Sequence, residues 1–564
     1  MVAPFNILLV NPACRDKRIT DDDARVVPIG LYYIAALLIE NGFIVQILNL
    51  ADDRNNPMET FIQTVSKFKP DLTGFSVTNP SRMNAIECAA RLKQRLPDSR
   101  VVFGGPAPTF LADHLFAACP ALDFIIKGEG EETVLELATA LRNGKDNGFE
   151  TIRGIAFRQT GQLIHTAPRP AIADLDSLPH PSAYFAFNHL SMSRGCPGKC
   201  TFCGSPRFWT DRSVRFHSPE WMTREIKTLL GKGITHFYLS DDTFTMDKDR
   251  VLTFCRQILE ADLTFTWNAI SRVDYIDTEM LAAMRKTGCI QISYGVESGS
   301  ATIRKALGKP IDRQTIIRAF EQTAFYGILP RAYFIYGSPG ETDATIEESI
   351  ELMHRIRPLS AIFYMLVIFP GTYLYNRARR KGIVSDDLWH QPIEDLPWFE
   401  LDDRLDFNRV KTFGDRLREE FYTHVHQYAA AVSLVDDKDL YPFHADFLSR
   451  LALTFSHGEY AAHPKVDRAE ETAVQLFERA LAYAPDARAF LGLAMLHQKN
   501  RRFEDAVRTL TDGLSHFCNN KDLHICMGVC LMNMGAFNRA LPYFEKFKSS
   551  ADADHYIRIC RKKV

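Results

Sequence analysis

Residues 193–204 read Ser-Arg-Gly-Cys-Pro-Gly-Lys-Cys-Thr-Phe-Cys-Gly and place three cysteines within eight positions, at Cys196, Cys200 and Cys203. A structural zinc site takes four ligands, and so does a four-iron cluster that is held by protein alone. The next cysteine along the chain is Cys255. Because three thiolates leave one metal position open, the stretch predicts a metal centre that carries out chemistry more than a structural staple.

The spacing C-x-x-x-C-x-x-C, with Phe202 directly before the last cysteine, resembles the signature of the radical S-adenosylmethionine (SAM) superfamily. The resemblance implies a 4Fe-4S cluster held by the three cysteines, with the amino and carboxylate groups of SAM on the fourth iron and Phe202 among the cofactor-binding residues. It implies cleavage of SAM to a 5′-deoxyadenosyl radical and an electron donor such as flavodoxin or ferredoxin. Two other interpretations stay open: a zinc site completed by a distant residue such as His217, and three buried cysteines with no special role.

The composition is that of a soluble globular protein, with 46% hydrophobic and 24% charged residues. A chain of 564 residues is too long for one core, so we expect three or four domains. A formal net charge of −2 provides no general field for nucleic acid. The twelve cysteines are irregularly spaced and do not resemble a disulfide framework, which favours a reducing cytoplasm.

The N-terminal residues and the central apolar stretch do not have the pattern of a membrane signal. The N-terminal residues lack the basic start and long apolar core of a secretory signal. The longest central apolar stretch, residues 361–369, is far shorter than the roughly 20 residues that span a bilayer. We therefore expect no transmembrane segment.

Residues 1–145 alternate short apolar runs with helical patterns, the rhythm of a parallel sheet covered by helices on both faces. We predict a doubly wound, Rossmann-like α/β domain in which ligands lie at the carboxyl edge of the sheet. Its predicted strands are residues 7–10, 44–48, 72–77, 101–103 and 124–126.

Small and polar residues follow three of these strands. Glycine lets a backbone approach a bulky ligand, and hydroxyls offer hydrogen bonds to its rim. Lying upstream of the cysteines, these residues resemble the cobalamin-binding domain of one branch of the radical SAM superfamily. The resemblance implies cobalamin binding by Ser76, Thr78, Gly104, Gly105, Thr109, Gly128 and Glu129.

One departure concerns the residues after the first strand. Many cobalamin domains carry Asp-x-His-x-x-Gly there, with the histidine on cobalt, whereas residues 11–16 of this chain read Asn-Pro-Ala-Cys-Arg-Asp. The departure implies either cobalamin held without a histidine ligand or a degenerate domain that binds nothing.

Residues 146–185 are interpreted as a connector with a small hairpin, and residues 186–400 again alternate strand and helix. About 200 residues of repeated βα pattern predict a partial TIM-type barrel, with its chemistry at the carboxyl ends of the strands. The predicted strands are residues 236–239, 265–268, 290–294, 331–335 and 360–367.

Polar groups recur at these strand ends in the order that the radical SAM family shows. A carboxylate suits the ammonium group of SAM, so Asp241 and Asp242 are candidates for that contact, and Arg272 is the candidate for the SAM carboxylate. Glu297 could accept both ribose hydroxyls, and Ser298 beside it is a further candidate for cofactor binding. Residues 337–341 end the next strand and could line the adenine or substrate side. The alternative for each of them is a helix cap or a solvated turn.

Residues 401–465 are expected to form a helical linker region, and residues 466–564 show a helical repeat. Ala473, Ala506 and Ala540 are spaced by 33 and 34 residues, a period that resembles tetratricopeptide repeats. Such a region is either a plain helical cap or a docking surface for a protein partner.

The resemblance over residues 1–400 implies a cobalamin-dependent radical SAM enzyme, and methyl transfer to an unactivated carbon is our first hypothesis. The alternatives are a cyclase or rearrangement enzyme and a partner-binding scaffold with a vestigial cluster. The substrate is a small molecule or a peptide. Aromatic residues at 363, 364, 369 and 373 suggest an apolar substrate, although core packing explains them equally well.

Overall fold

The computed structural model describes residues 4–14, 25–53, 55–144, 147–209, 213–391 and 398–563. Two sheets, each built mainly from parallel strands, are followed by a helical region. Arg15 and Asp16, at the end of the stretch that lacks a histidine, lie outside the described residues.

The first sheet has seven strands in the order β2-β1-β3-β4-β5-β6-β7, and its first five strands in chain order are parallel. The hairpin β6–β7 pairs antiparallel with β5, so the sequence placed in the connector extends the first sheet. The strands are β1 (Asn6–Asn11), β2 (Ile44–Asn49), β3 (Leu72–Ser76), β4 (Arg100–Gly104), β5 (Phe124–Ile126), β6 (Ile155–Gln159) and β7 (Gln162–His165). The helices are α1 (Ile29–Glu40), α2 (Pro57–Phe68), α3 (Arg82–Arg95), α4 (Pro106–Ala118) and α5 (Glu131–Arg142).

Both faces of the first sheet are buried, because alternate residues of β1 enter different apolar clusters. Ile7 and Leu9 belong to the cluster with α1 and α5, whereas Leu8 and Val10 belong to the cluster with α2, α3 and α4. This continuous apolar strand is typical of a parallel sheet covered by helices on both sides. The Rossmann-like arrangement predicted from the sequence is therefore confirmed as a mixed α/β unit.

The second sheet has six parallel strands in the order β15-β14-β13-β12-β11-β8, next to a two-stranded antiparallel ribbon of β9 and β10. Its strands and those of the ribbon are β8 (His189–Leu190), β9 (Ser193–Arg194), β10 (Arg215–Phe216), β11 (His236–Leu239), β12 (Thr266–Ser271), β13 (Cys289–Glu297), β14 (Leu329–Tyr336) and β15 (Ser360–Met365). The helices are α6 (Ser205–Phe208), α7 (Pro219–Gly231), α8 (Lys248–Glu260), α9 (Thr278–Lys286), α10 (Ala301–Ala306), α11 (Arg313–Phe325), α12 (Asp343–Ile356) and α13 (Tyr373–Arg380).

Side-chain caps start the helices of this second unit where the sequence indicates them. Asp247 accepts the backbone N–H of Arg250 at the start of α8, and Asp312 accepts two N–H groups at the start of α11. Thr342 and Thr345 form a reciprocal capping box at the start of α12. Each cap satisfies backbone donors that the first helical turn leaves without partners.

The helical region after the second sheet shares its core with that sheet at one end. Helices α14, α15 and α17 contribute to the large apolar cluster of the second sheet, and Arg285 of α9 pairs with Asp446 of α15 at 2.8 Å. The helices are α14 (Phe407–Ala430), α15 (Tyr441–Ser456), α16 (Glu459–Ala462), α17 (Ala469–Tyr483), α18 (Ala487–Lys499), α19 (Phe503–His516), α20 (Lys521–Asn533), α21 (Phe537–Glu545) and α22 (Ala551–Lys563). Among the described residues, none of the helices combines the length and the apolar character that a membrane span requires.

Candidate active site

The cysteine loop, residues 195–204, lies between β9 and α6 and is held by its own backbone and by two neighbouring loops. Gly195 has φ +105°, and a side chain there would collide with the carbonyl oxygen of Ser213. Thr201 donates its N–H to the carbonyl of Leu307 at 2.9 Å and accepts the N–H of Leu374 at 3.0 Å. The loop is therefore fixed to the end of α10 and to the first turn of α13.

Two of the three thiols of the loop, those of Cys196 and Cys200, lie close to Gly198. The N–H of Gly198 donates to Cys196 Sγ at 3.4 Å. A Cβ at Gly198 would lie 3.2 Å from Cys196 Sγ and 3.8 Å from Cys200 Sγ, so a side chain at this position would crowd the sulfur of Cys196. All twelve cysteines of the chain lie in described segments, and none of them forms a disulfide there.

Burial raises the pKa of the Cys200 thiol and raises the pKa of Cys203 to about 12. A half-buried thiol that resists ionisation becomes a thiolate when a metal cation compensates its charge. Three cysteines on one loop fit a cluster with one open iron. The geometry does not favour a zinc site completed by His217, because both ring nitrogens of His217 already have partners. These partners are the Tyr33 hydroxyl at 3.0 Å and the Asp176 carboxylate at 3.1 Å.

The two neighbouring aspartates that follow β11 have different environments. Asp241 is 1% exposed, and its carboxylate accepts the N–H of Met192 at 3.1 Å and the hydroxyl of Ser193. Burial raises the pKa of Asp241, although Arg250 opposes that shift. Asp241 therefore orients the strand that leads into the cysteine loop, and both of its oxygens are occupied.

Asp242 is exposed and faces the space between the two sheets. Its Oδ2 accepts the Ser205 hydroxyl at 2.5 Å and the Trp209 indole N–H at 3.2 Å. Its charge lies close enough to Cys203 to contribute to the raised pKa of that thiol. Of the two aspartates predicted to contact SAM, Asp242 is the one that the structure leaves open to a ligand.

The cationic and acidic candidates of the next two strands reach the other side of the cysteine loop. The Nη1 atom of Arg272 lies 3.6 Å from where a Cβ of Gly198 would be, and Asp274 holds the guanidinium at 2.7 and 3.0 Å. Glu297 is buried, has φ +65° and pairs with Lys309 Nζ at 2.8 Å. Burial has the largest effect on the pKa of the Cys200 thiol and raises it, while the charges of Lys309 and Arg272 lower that pKa and the charge of Glu297 raises it.

Two further candidates from the sequence turn inward. The Ser298 hydroxyl lies 3.3 Å from that of Ser349 on α12 and accepts the N–H of Ser300, so it braces a turn. Phe202 packs on the apolar cluster that joins α4 to α13. The loop at 337–341 is likewise braced, because Glu341 accepts the backbone N–H groups of residues 337 and 338.

The carboxyl edge of the first sheet supplies part of a cavity of about 290 Å³ between the two sheets. A Cβ at Gly104 would meet nothing nearer than Ile126 Cβ at 4.0 Å, so this edge leaves room for a ligand against the backbone. Of the predicted cobalamin-binding residues, the cavity is lined by Ser76, Gly104, Gly105, Gly128 and Glu129.

Thr78 and Thr109 do not belong to the cavity wall. Thr78 is exposed and binds Ser81 through its N–H and its hydroxyl, each at 3.0 Å. The Thr109 hydroxyl donates to Gly105 O at 2.9 Å and accepts Gly128 N–H at 3.1 Å. Thr109 therefore joins two of the glycine loops without facing the ligand space.

Glu129 lies in a buried ion cluster that joins the two sheets. Its Oε1 pairs with Arg194 at 3.1 Å and with Arg215 at 2.8 Å, and Arg194 also reaches Glu131 at 2.7 Å. These side chains are only 4–11% exposed. The pKa of Glu129 is lowered, because the hydrogen bond and charge of Arg215, the charge of Arg194 and the N–H of Ile172 together outweigh its burial.

Sequence reasoning missed the residues that close the cavity from the second unit and from α1. The guanidinium of Arg194 lies 5.0 Å from the centre of the Tyr33 ring, and Phe208 and Trp209 complete an aromatic wall. The proximity of Arg194 and Trp209 to the cysteine motif was the signal available, but nothing in the sequence pairs them with Tyr33 or Glu131.

Comparisons with known proteins find relatives for both sheet-containing units of the chain. Residues 190–353 match the Radical SAM superfamily and residues 20–138 match the B12 binding domain. An uncharacterized methyltransferase of Pyrococcus horikoshii is 31% identical over 401 residues, which cover 69% of this chain and 86% of the relative. The anaerobic magnesium-protoporphyrin IX monomethyl ester cyclase of Synechocystis is 31% identical over 403 residues, covering 68% and 79%.

A solved structure has the same fold along the whole chain. The cobalamin-dependent SAM radical enzyme OxsB, with aqua-cobalamin and SAM bound, aligns with a TM-score of 0.62 at 16% identity. The alignment covers 100% of this chain and 84% of OxsB.

Proposed function

The chain belongs to the radical SAM superfamily, with a B12 binding domain ahead of its radical SAM domain, and we propose that it methylates an unactivated carbon of its substrate. The observation that carries this proposal is the cavity shared by the carboxyl edges of both sheets. A reaction that needs two cofactors on one substrate requires such a shared space. When bound, the 4Fe-4S cluster and SAM supply the radical that removes a hydrogen atom, and cobalamin supplies the methyl group.

Each part of the site has a distinct binding role. Cys196, Cys200 and Cys203 hold the cluster, and Asp242 and Arg272 bind the ammonium and carboxylate groups of SAM, because each carries the charge complementary to its group. Glu297 is proposed to accept the SAM ribose, with Lys309 fixing its carboxylate at 2.8 Å. Asp241, Ser298 and Phe202 are positioning residues, since their polar atoms or rings are engaged within the protein.

Cobalamin is proposed to lie on the glycine edge of the first sheet, against Ser76, Gly104, Gly105 and Gly128. A backbone without side chains at these positions lets a broad, flat ligand approach the strand ends. Residues 11–16, at and after the end of β1, contain no histidine, so in this proposal the cobalt of cobalamin has no histidine ligand from that position. Glu129 contributes through the ion cluster that holds the two sheets together.

The aromatic wall of Tyr33, Phe208 and Trp209 favours a substrate with an apolar, planar face. Ring closure is a second candidate reaction, because the Synechocystis cyclase is as similar as the methyltransferase, at 31% identity. SAM labelled with deuterium in its methyl group distinguishes the two reactions. The label enters the product of a methyltransferase and is absent from the product of a cyclase.

The proposal is tested on anaerobically reconstituted protein. Alanine at any of the three motif cysteines should abolish reductive SAM cleavage while cobalamin absorbance is retained, and Cys518→Ala, at an exposed cysteine, is the matched control. SAM cleavage that survives loss of Cys200 would refute the ligand assignment. Flavodoxin or ferredoxin is proposed as the electron donor, and the need for reduced thiols favours a cytoplasmic location.

We further propose that helices α17–α22 are tetratricopeptide-like repeats. Helices α17, α19 and α21 begin at residues 469, 503 and 537, at the spacing of 34 residues typical of that repeat. Small residues permit close helix contact, since a Cβ at Gly492 would strike Phe477 and one at Gly528 would strike Phe544. A chain lacking residues 501–564 should keep SAM cleavage if the repeats only dock a partner, and should lose it if they brace the barrel.

The domain boundaries are also proposed with one change from the sequence analysis. The B12 binding unit extends through β7, because the hairpin of β6 and β7 pairs with β5. The radical SAM unit follows to about residue 400, and residues 401–465 form a helical bridge to the repeats. Limited proteolysis should cut between these units before it cuts within either sheet.

A further inference from the structure

Two histidines and a glutamate meet on the outer side of the second unit, away from the cysteine loop. Glu420 and His424 lie one turn apart on α14, and His354 lies on the facing helix α12. Glu420 Oε1 is 2.9 Å from His354 Nε2 and 3.2 Å from His424 Nδ1. One ligand atom from each residue lies within 4.8 Å of the others, and within the described segments this is the one such group of three.

From this geometry we propose that His354, Glu420 and His424 bind one divalent transition-metal ion of the zinc class. Two imidazoles and one carboxylate are borderline ligands that suit zinc, whereas magnesium and calcium prefer oxygen ligands alone. Ligand atoms about 2.1 Å from a tetrahedral zinc are about 3.4 Å apart. The observed separations from Glu420 need to open by only a few tenths of an ångström to accept the ion.

A fourth side chain orients one of the ligands. The Tyr428 hydroxyl, one turn beyond His424 on α14, lies 2.9 Å from His354 Nδ1. This bond occupies the ring nitrogen that faces away from Glu420 and presents Nε2 to the metal position. Metal-binding histidines commonly have such a partner on their second nitrogen.

The remaining contacts of the cluster are compatible with a bound ion. His424 Nδ1 also lies 3.0 Å from the backbone carbonyl of Glu420, so a metal would replace the proton that this nitrogen shares with the carbonyl. The three side chains are 27–39% exposed, which lets an ion enter from solvent and leaves its fourth position to water. Three protein ligands plus water is a coordination that zinc adopts.

The position of the cluster indicates a role as a clamp. Helix α12 follows β14 of the radical SAM sheet, and α14 is the first long helix of the region that leads to the repeats. A metal joining the two helices would fix that region on the barrel. The site is separate from the motif cysteines and makes no demand on the proposed methyl transfer.

The test uses full-length protein with its iron–sulfur cluster loaded, so that the motif cysteines are occupied. Zinc binding is measured by calorimetry and by metal analysis after gel filtration. Wild type and His426→Asn, a control on the same helix, should bind one zinc ion with a micromolar or tighter dissociation constant. His354→Asn and His424→Asn should bind at least about 100-fold more weakly, and Tyr428→Phe about 10-fold more weakly.

X-ray absorption at the zinc edge provides a measurement that does not depend on the folding of the variants. Nitrogen and oxygen neighbours at about 2.0 Å support the site, whereas sulfur at about 2.3 Å would place the ion on cysteines and overturn it. Binding only at millimolar zinc, or equal binding by His424→Asn and His426→Asn, would also overturn it. In either case the three residues form only a hydrogen-bonded cluster.

Discussion

Arg194→Met should destabilise the contact between the two sheets strongly, because it strands a buried carboxylate. Arg194 pairs with Glu129 at 3.1 Å and with Glu131 at 2.7 Å, and all three side chains are less than 10% exposed. Glu129 keeps its pair with Arg215 at 2.8 Å, but Glu131 loses the ion pair with Arg194. Removing one partner of a buried pair costs about 3–5 kcal/mol, whereas an exposed pair contributes about 0–1 kcal/mol.

The assay is urea unfolding of the cofactor-free protein, followed by tryptophan fluorescence and circular dichroism. A loss of about 3 kcal/mol moves the midpoint by about 1 M at an unfolding slope of about 3 kcal/mol/M. Arg256→Met is the control, because its pair with Glu260 is 4.0 Å long with both side chains at least 65% exposed. Arg194→Met/Glu131→Gln should recover part of the loss, since no lone charge remains. A midpoint for Arg194→Met equal to that of Arg256→Met would refute the reasoning.

Three further predictions concern the cofactor edges and pH. The leucine side chain of Gly104→Leu should project into the cavity, so the folded variant should lose cobalamin absorbance. Gly231→Leu, at an exposed helix end, is the control and should keep that absorbance. Equal cobalamin content in the two variants would contradict the assignment. Asp242→Asn should weaken SAM binding by about tenfold or more in calorimetry, because it removes a charge-assisted hydrogen bond. Asp241→Asn should mainly lower the stability of the protein. The reverse pattern would exchange the roles of the two residues. Burial raises the pKa of Glu341 to about 7, so the stability from its bound proton is present below pH 4.5 and is lost as pH rises through 7. The stability of Glu341→Gln relative to wild type should therefore rise by on the order of 3 kcal/mol between pH 5 and 8. Thermal unfolding of both proteins across this pH range measures the difference. A difference that does not change with pH would contradict the raised pKa of Glu341.

The strands and the parallel sheets could be predicted from the sequence, because each depends on a local pattern. The apolar run at 236–239 forms a strand with those limits. Asp312 caps α11, the helix that begins at the next residue. Apolar runs bounded by turns and caps carry their own secondary structure. The cysteine loop was visible for the same reason, since its spacing is local.

The roles of individual polar residues could not be predicted, because they depend on which way a side chain turns. Asp241 and Asp242 are adjacent and chemically equal, yet one is buried against Ser193 and the other faces the cavity. Ser76 ends β3 and Thr78 lies two residues further on, and only Ser76 lines the cavity. Adjacent side chains such as those of Asp241 and Asp242 point in different directions, so a shift of one position reverses a role.

Contacts between distant segments were the other part that the sequence concealed. Arg194 reaches Glu129 and Glu131 across more than sixty residues, and no local pattern pairs them. Arg194 is also two residues before Cys196, in the stretch that Asp241 orients through Ser193. The N-terminal side of the cysteine loop is thus linked, through the ion pair of Arg194, to Glu129, which follows Gly128 at the carboxyl edge of the first sheet. A change at Glu131, in the B12 binding domain, should therefore also disturb the cysteine loop. A reaction that uses two cofactors on one substrate requires the protein to hold both cofactors in a fixed relative position, and these ion pairs provide such a link.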